Sequence, residues 1–349
     1  MNRRILPYLA RHAAAALLLV ATACETPDTD DPPAIDTATA SSDTTVGSDG
    51  EAGDGELGVE DRLEETVGRL ANDFPQRNSS SPQTYRDAED YLADELLAAG
   101  YTPTLQEVPT DGEVFHNVIV EKTGTTTPSE IVIVGAHYDT ARGTPGADDN
   151  ASGVAATLEL ARRFADRSVD RTLRFILFAN EEPPYFGSET MGSFVHAERA
   201  RDAGEDVVAM LSLEMLGYYT DEPGSQEYAE GTELLYPDRE FPDRGNFVSF
   251  VTRTSGESVV REMDRQFEAA GSVPAEWFAA PASSRGVGLS DQSSFWQNDY
   301  PGVMVTDTAF LRNSHYHTSS DTPGTLDYET FAAVVRALEP VVAARVDDG

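Results

Sequence analysis

Cysteine is almost absent from this chain: Cys24 is the only one among 349 residues. A single cysteine excludes a disulfide within one copy of the protein. Because Cys24 precedes every segment that is predicted to fold, it is also excluded as a nucleophile of that fold.

Basic residues are the second scarcity. The chain has 25 lysine and arginine residues against 61 aspartate and glutamate residues, and its formal net charge is -36. Nucleic-acid phosphates need lysine and arginine to neutralise them, so this balance argues against a nucleic-acid partner. It disfavours direct binding to an anionic membrane surface for the same reason.

Two catalytic patterns are missing as well. Ser188 and Ser294 do not lie in the Gly-x-Ser-x-Gly turn between a strand and a helix that exposes a serine nucleophile. Glycine-rich phosphate loops are absent, so nucleotide chemistry has no support. The candidate catalytic groups that remain are carboxylates and imidazoles.

The N-terminus has the pattern of an export signal. Arg3 and Arg4 precede an apolar stretch at 13–20, which is too short to span a bilayer, and small residues follow it. Cys24 comes next, an arrangement that resembles the lipobox of bacterial lipoproteins, in which the cysteine is acylated. We predict a signal peptide at 1–23, a lipidated Cys24 with a disordered acidic linker at 24–56, and an exported protein of the cell envelope or the medium.

From residue 57 to 349 the pattern is that of one folded domain, in which helical periodicity alternates with short apolar runs. Helices are predicted at 59–72, 82–99, 151–165, 188–199, 257–270 and 328–345, and strands at 116–121, 131–136, 173–179, 207–213, 247–252 and 302–306. Apolar strands that alternate with helices indicate a sheet covered on both faces. The predicted fold class is α/β, a three-layer α/β/α sandwich with a mixed, mostly parallel central sheet.

Five acidic or imidazole side chains each end an apolar run or lie in a turn after one. They are His137, Asp149, Glu182, Glu214 and His317. Ligands bind beyond the carboxyl ends of the strands in such sheets, so we expect these side chains at one edge. Imidazole and carboxylate are the ligand types of a two-metal hydrolytic site, and zinc accepts both.

Spacing alone leaves two positions open. Asp148 and Asp149 share one polar turn, and the carboxylate of either could bridge two cations. Alternation along an extended segment places His315 and His317 on the same face. His196 lies on a predicted surface helix and is assigned no role.

The neighbours of these candidates suggest supporting roles. Glu181 directly precedes Glu182, and adjacent side chains of an extended segment point in different directions, so Glu181 is free to act as a base. Asp139 lies two residues after His137. Its carboxylate could hydrogen-bond the His137 imidazole and orient it without binding the metal itself.

The candidates lie in short motifs that follow one another along the chain. The motifs are Gly135-Ala136-His137-Tyr138-Asp139-Thr140, the turn from Pro145 to Gly153, Asn180-Glu181-Glu182 with Gly187-Ser188, Leu213-Glu214-Met215, and Tyr316-His317-Thr318 followed by Asp321-Thr322. In this order they resemble metallopeptidase family twenty-eight, the family of bacterial leucyl aminopeptidase and aminopeptidase S. The resemblance covers residue 57 to the C-terminus and implies a two-zinc exopeptidase that acts on peptide or protein N-termini.

The resemblance also implies which residues bind the two Zn²⁺ ions. Asp149 would bridge them. His137 and Glu214 would complete one site, and Glu182 and His317 would complete the other.

Further roles and two departures follow from the same comparison. Glu181 would be the general base, and the Tyr316 hydroxyl would donate a hydrogen bond to the developing oxyanion. Many relatives have aspartate in place of Glu214, and the longer side chain could alter the metal preference. The order Ser290-Asp291-Gln292 departs from a Ser-Asp-His pattern, so Gln292 is assigned no catalytic role.

Other functions stay open at this level. A glutaminyl cyclase-like acyltransferase resembles this fold but usually holds one zinc ion, and a carboxypeptidase or dipeptidase could use the same metal centre. A binding protein could keep the fold without the chemistry. The full ligand set together with Glu181 favours the aminopeptidase, whose specificity would depend on loops at 218–246 and 279–288. Membrane contact is predicted only through a lipid at Cys24.

Overall fold

The computed structural model describes residues 57–110, 112–271 and 273–347, so the predicted signal peptide, lipidation site and linker lie outside the described residues. Eight strands of this part of the chain form one sheet. They are β1 (Thr104–Pro109), β2 (Val114–Lys122), β3 (Thr127–His137), β4 (Arg171–Phe178), β5 (Asp206–Glu214), β6 (Val248–Arg253), β7 (Ala275–Ala280) and β8 (Val303–Thr306).

The strand order is β1-β2-β4-β3-β5-β8-β6-β7. At the centre, β3 pairs in parallel with both β4 and β5, and β8 pairs in parallel with β5. β7 is parallel to β6, whereas β1 with β2, β2 with β4, and β6 with β8 are antiparallel. The prediction of a mixed, mostly parallel sheet is confirmed. Because β3, β4 and β5 run in one direction, their carboxyl ends meet at the same edge.

Helices cover the sheet on both faces. They are α1 (Val59–Gly68), α2 (Pro82–Ala98), α3 (Gly153–Phe164), α4 (Gly192–Ala203), α5 (Thr232–Leu235), α6 (Glu257–Ala270), α7 (Gln292–Gln297) and α8 (Tyr328–Val346). Among the described residues, no helix combines the length and the apolar character that a membrane span needs.

Alternate side chains of the central strands face the two helical layers. Val132 and Val134 of β3 belong to the core beneath α1, α2, α3, α6 and α8, whereas Ile131 and Ile133 pack towards α4 and α7. This alternation follows from the period of two in a strand. Both faces are therefore buried, which confirms the three-layer sandwich.

The strands β1 and β7 and the short helices α5 and α7 were not predicted. Both strands lie at the edges of the sheet, where a strand has one neighbour and several of its side chains remain accessible. Edge strands therefore lack the continuous apolar run that identifies the central strands.

The environment of His196 corrects the prediction of a surface position. Its side chain on α4 is buried, with Nδ1 3.1 Å from Gln106 Oε1 and Nε2 3.3 Å from Arg174 Nη1. Burial and the adjacent guanidinium lower the pKa of His196 to about 3. The neutral imidazole is therefore the buried form, donating to Gln106 and accepting from Arg174.

Candidate metal centre

Three neighbouring strands deliver side chains to one edge of the sheet. β3 ends at His137, β5 ends at Glu214, and Glu181 and Glu182 follow the end of β4. Asp149 lies in the turn Ala147–Ser152 that precedes α3, and its own backbone is not helical, with φ -103° and ψ 91°. The site thus brings together the segments that the sequence motifs identified.

Two groups of side chains at this edge have the geometry of metal-ligand sets, and they share Asp149. The first is His137, Asp149 and Glu214, in which His137 Nε2 lies 3.4 Å from Asp149 Oδ1 and 3.3 Å from Glu214 Oε2. The second is Asp149, Glu182 and His317, in which His317 Nε2 lies 3.0 Å from Asp149 Oδ2 and 3.2 Å from Glu182 Oε1. Each carboxylate oxygen of Asp149 therefore faces a different imidazole.

These distances fit zinc. Ligand atoms about 2.0 to 2.1 Å from a tetrahedral zinc ion are roughly 3.3 Å from one another. Glu182 Oε1 is buried, and the nearby group that the second ligand set offers it is His317 Nε2 at 3.2 Å. Buried carboxylates at this density need cationic partners, because desolvation of an unpaired charge is costly.

Mutual interactions shift the pKa values of the ligands. Burial alone would lower the pKa of His137. The negative charges of Glu181 and Glu214 raise it by more than burial lowers it, so the pKa lies well above its usual value. In the same way the pKa of His317 rises to about 10, because its hydrogen bonds to Asp149 and Glu182 outweigh burial. The cluster therefore favours positive charge at both imidazole positions, which is what a bound cation supplies.

The Asp139 carboxylate holds the two glutamates that follow β4. Its oxygens accept hydrogen bonds of 3.0 Å from the backbone amides of Glu181 and Glu182. The nearest approach of this carboxylate to His137 Nδ1 is longer, 3.5 Å, while the backbone oxygen of Asp139 lies 3.3 Å from the same nitrogen. The sequence predicted that Asp139 orients the His137 imidazole. In the structure Asp139 also positions the backbone of Glu181 and Glu182.

The turn that carries Asp149 is held from a distant part of the chain. The backbone amides of Asp148 and Asp149 donate to the two carboxylate oxygens of Asp321, at 2.8 and 3.1 Å. The Asp148 carboxylate accepts hydrogen bonds from the Gly217 amide and the Asn313 side chain. It is therefore occupied outside both ligand sets, and Asp149 is the aspartate that faces the imidazoles.

Besides Asp321, three residues that support the site were not assigned a role from the sequence. Arg77 is fully buried and donates to the carbonyl oxygens of Tyr138, Pro145 and Gly146, which belong to the segments that carry His137 and Asp149. A lone arginine far upstream offers no sequence signal for this contact.

Asn150 and Ser290 hold the segment around Glu214. The Asn150 side chain donates to the Leu213 carbonyl and accepts from the Met215 amide. The Ser290 hydroxyl donates to Glu214 Oε2 at 2.6 Å. Asn150 directly follows Asp149, and Ser290 lies in the motif that departs from the family pattern. Position in a motif was therefore the one sequence signal for these two residues.

Glu181 and Tyr316 lie beside the ligands. Glu181 is buried with Oε2 3.9 Å from His137 Nε2, and burial raises its pKa well above the usual value. The ring of Tyr316 stacks on His317 with 3.8 Å between ring centroids. Burial and nearby carboxylates, Asp149 foremost, raise the pKa of Tyr316, so its hydroxyl keeps its proton.

His315, the other histidine of this segment, hydrogen-bonds Ser320, with 2.8 Å between Nδ1 and Oγ. His317 is therefore the histidine that lies with Asp149 and Glu182.

The three-layer fold and its two groups of candidate ligands are typical of a metalloenzyme. Residues 117–342 match peptidase family M28. This match covers more than half of the chain, so the protein belongs to peptidase family M28, and it is a metallopeptidase.

The chain is also similar to individual proteins. The chain is 35% identical over 285 residues to the uncharacterized protein YfbL of Escherichia coli, covering 79% of this chain and 85% of YfbL. It is 24% identical over 262 residues to the probable aminopeptidase YDR415C of Saccharomyces cerevisiae, covering 68% of this chain and 62% of YDR415C. The LapA aminopeptidase of Legionella pneumophila has a similar fold, with a TM-score of 0.63, 20% identity, and coverage of 82% of this chain and 72% of LapA.

Proposed function

We propose that this protein is a two-zinc aminopeptidase that hydrolyses N-terminal residues from peptides. The observation that carries the proposal is the sharing of Asp149 between two ligand sets, one oxygen towards each imidazole. A bridging carboxylate is the arrangement expected of paired metal ions. The probable aminopeptidase activity of the yeast relative supports the choice of N-terminal substrates.

Zinc fits the donors, because imidazole nitrogen and carboxylate oxygen are both zinc ligands. His137, Asp149 and Glu214 would hold one ion, and Asp149, Glu182 and His317 the other. When bound, two zinc ions supply a polarised scissile carbonyl and a water of lowered pKa.

Glu181 is the residue that moves the proton in this proposal. Its carboxylate is buried beside His137, and its backbone is anchored by Asp139. It takes a proton from the attacking water and passes it to the leaving amine. Tyr316 keeps its hydroxyl proton and donates it as a hydrogen bond to the oxygen that gains charge.

A cavity adjoins this centre at Glu214 and Tyr316. The residue that bears the scissile carbonyl must place that carbonyl at the metal centre, so its side chain enters the adjoining space. An aminopeptidase acts on the first residue of a peptide, and the cavity therefore receives the first side chain.

The experiment is metal analysis of the full chain by plasma mass spectrometry, paired with hydrolysis of aminoacyl nitroanilides before and after chelation. We expect two equivalents of zinc, release of nitroaniline, and loss of activity on chelation that zinc restores. N-terminally blocked peptides should resist cleavage. Cleavage of blocked peptides at the C-terminus would assign a carboxypeptidase, and loss of ammonia from an N-terminal glutamine would assign a cyclase.

Glu181→Gln tests the base. The amide cannot accept the water proton, so kcat should fall by about 10²- to 10⁴-fold while zinc content is retained. Glu189→Gln is the control, because Glu189 is an exposed glutamate of the same loop. Full turnover in a zinc-loaded Glu181→Gln enzyme would refute the assignment.

We also propose that the domain at 57–349 is exported and held at the cell envelope by a lipid on Cys24. The support is the sequence pattern of residues 1–24 followed by an acidic linker. The mass of the N-terminal peptide of the native protein would show acylated Cys24. A mature N-terminus elsewhere, or an unmodified Cys24, would contradict the anchor.

A further inference from the structure

A cavity of about 210 Å³ opens beside the metal centre. Its floor is the sheet, where Val251 of β6, Phe278 of β7 and Met304 of β8 line it. The segment 226–236, which we call the roof, also lines the cavity, and Tyr228 and Tyr236 are its aromatic lining residues. The loops at 284–289 and 308–311 complete the lining. Glu214 and Tyr316 line the end of the cavity that adjoins the metal centre. A substrate side chain in the cavity therefore belongs to the residue whose carbonyl lies at that centre.

The cavity has room for an aromatic side chain. An apolar cavity of roughly 150 Å³ is sufficient to bind benzene, and this one is larger. The rings of Tyr228, Tyr236 and Phe278 offer edge and face contacts to another ring, which an aliphatic methyl group cannot use. Alanine would leave most of the space unfilled.

Among the polar side chains of the lining, Gln226 is fully engaged, whereas the buried Ser249 hydroxyl has no hydrogen-bond partner among the described residues. Gln226 donates to the Glu227 carbonyl and accepts from Arg312 Nε, and its amide also exchanges hydrogen bonds with the Thr308 hydroxyl. Apart from the ligand Glu214, the charged residues of the lining are Glu230 and Arg285, and both are exposed to solvent. A charged side chain in the cavity would be desolvated without a dedicated partner, which is unfavourable.

Tyr236 of the roof, and Arg239 just after the roof, hold this part of the chain against the edge of the sheet. The Tyr236 hydroxyl accepts from the Ala279 amide at 2.7 Å and donates to the Ala279 carbonyl at 2.9 Å. Arg239 donates to the Trp277 carbonyl at 2.6 Å and forms an ion pair with Glu276. β7 is an edge strand, so in the described residues one of its sides has no neighbouring strand. The contacts of Tyr236 and Arg239 supply hydrogen-bond partners to its backbone there.

The guanidinium of Arg239 is also surrounded by aromatic rings. It lies 5.6 Å from the Tyr236 centroid, 5.0 Å from Phe278 and 4.9 Å from Trp277. Phe278 of β7 and Tyr236 of the roof both line the cavity, and their rings pack edge to face with 5.9 Å between centroids. Arg239 contacts both rings from outside the cavity. The placement of these two lining rings therefore depends on a residue that does not line the cavity.

We propose that this cavity selects substrates with an aromatic first residue, and that Arg239 is the positioning residue that sets this selectivity by holding the roof against β7. The inference rests on the proposed aminopeptidase function, which it deepens by naming the substrate class. Aromatic first residues fill the cavity, small ones leave it empty, and charged ones lose their hydration.

The first test compares phenylalanyl, leucyl, alanyl and lysyl nitroanilides with the zinc-loaded full chain. Phenylalanine should exceed alanine and lysine by about 100-fold or more in kcat/KM, and should exceed leucine by a smaller factor, because filling a hydrophobic pocket discriminates about 10- to 200-fold per missing group. Equal rates for alanine and phenylalanine, or a preference for lysine, would overturn the inference and leave the aminopeptidase function standing.

Filling the cavity should reverse the preference. Ala229 in the roof and Ala280 in β7 both line the cavity, and Ala229→Phe or Ala280→Phe should lower the phenylalanine-to-alanine ratio by about 10-fold or more. Ala229 is partly exposed, so this variant tests the cavity should the buried Ala280→Phe fail to fold. Leu234→Phe is the matched control, because Leu234 is 81% exposed on the same segment and should leave the ratio unchanged. An unchanged ratio in a folded Ala229→Phe variant would contradict the proposal.

Arg239→Lys tests the positioning role. Lysine keeps the charge but not the planar fork that stacks and donates at once. We expect KM for the phenylalanyl substrate to rise by about 10-fold, with little change in kcat and a smaller effect on the alanyl substrate. A general structural role would lower kcat for every substrate alike, and that result would refute Arg239 as a determinant of selectivity.

Binding separates this inference from the chemistry. L-phenylalaninol and L-alaninol lack a scissile carbonyl, and calorimetry with the zinc-loaded protein measures their affinities whether or not peptides are hydrolysed. Phenylalaninol should bind about 10-fold or more tightly than alaninol, and Ala229→Phe should remove the difference. Absence of hydrolysis with this binding preference would refute the proposed function alone, whereas equal affinities would refute the aromatic pocket.

Discussion

The carboxylate of Asp139 accepts a 3.0 Å hydrogen bond from the backbone amide of Glu181. Its second oxygen accepts an equal bond from the next amide, that of Glu182. One buried carboxylate thus orients both the proposed base and a proposed metal ligand. These two hydrogen bonds fix the backbone of Glu181 and Glu182, and so fix the positions from which both side chains reach the site.

Asp139→Asn should disturb both glutamates. An asparagine amide has one acceptor oxygen, so its nitrogen must face one of the two backbone amides. We expect zinc affinity to weaken by about 10- to 100-fold, and kcat to fall even at saturating zinc. Competition with a chromogenic chelator measures the affinity, and an unaltered affinity with full activity would show that the two amide contacts are dispensable. Asp87→Asn, at an exposed position of α2, is the control.

Ser290→Ala should loosen one of the two metal positions. The Ser290 hydroxyl donates to Glu214 Oε2, and the methyl group of alanine leaves that oxygen without its donor. We expect one zinc equivalent to be lost about 10- to 100-fold more readily while the other is retained. Stepwise chelation followed by metal analysis would show two separated phases, and their coincidence would contradict a role specific to Glu214. Ser293→Ala, in the same segment, is a matched control.

Arg77→Lys should destabilise the fold around the metal centre. Burial lowers the pKa of Arg77 to about 10, so the guanidinium remains charged near neutral pH. Lysine cannot reach the carbonyls of Tyr138, Pro145 and Gly146 together, and each buried acceptor left unpaired costs about 1 to 3 kcal/mol. Urea unfolding should show a loss of about 2 to 4 kcal/mol. Arg86→Lys at an exposed ion pair should cost below about 1 kcal/mol, and equal losses in both variants would refute the argument.

His196 should make the domain sensitive to mild acid. Its pKa is about 3 in the folded protein and about 6.5 in an unfolded chain. Below pH 6.5 the unfolded chain therefore binds a proton that the folded protein does not, so stability is complete above this pH and falls as the pH drops towards 3. Between pH 7.5 and 5 this linkage amounts to about 2 kcal/mol.

The test of this pH dependence is His196→Asn. Asparagine can still donate to Gln106 but does not titrate, so its unfolding free energy should fall less between pH 7.5 and 5 than that of the wild type. The difference between the two falls is the measured quantity, because it cancels the titration of the carboxylates that both proteins share. Parallel curves would show that His196 ionises normally in the folded state.

Much of the fold was predictable because its central elements have strong local signals. The apolar runs of β3, β4 and β5 and the periodic helix α6 were predicted within a few residues of their observed ends. The edge strand β7 and helix α7 were not, since neither shows a long apolar run or a full helical period. The burial of His196 was also missed, because the contact with Arg174 depends on how α4 lies on the sheet.

The sequence by itself determined the ligand types and the edge where they meet. Acids and imidazoles that follow parallel strands are brought to one edge by strand direction alone. Spacing left Asp148 and Asp149 open, and the choice of Asp149 came from the family resemblance. The tertiary structure gives the physical reason why Asp149 faces both imidazoles, because Asp321 and Gly217 come from distant parts of the chain to hold the turn. It likewise decided the partners of Asp139 and the walls of the cavity. These features depend on packing between remote segments, and local periodicity carries no information about such contacts.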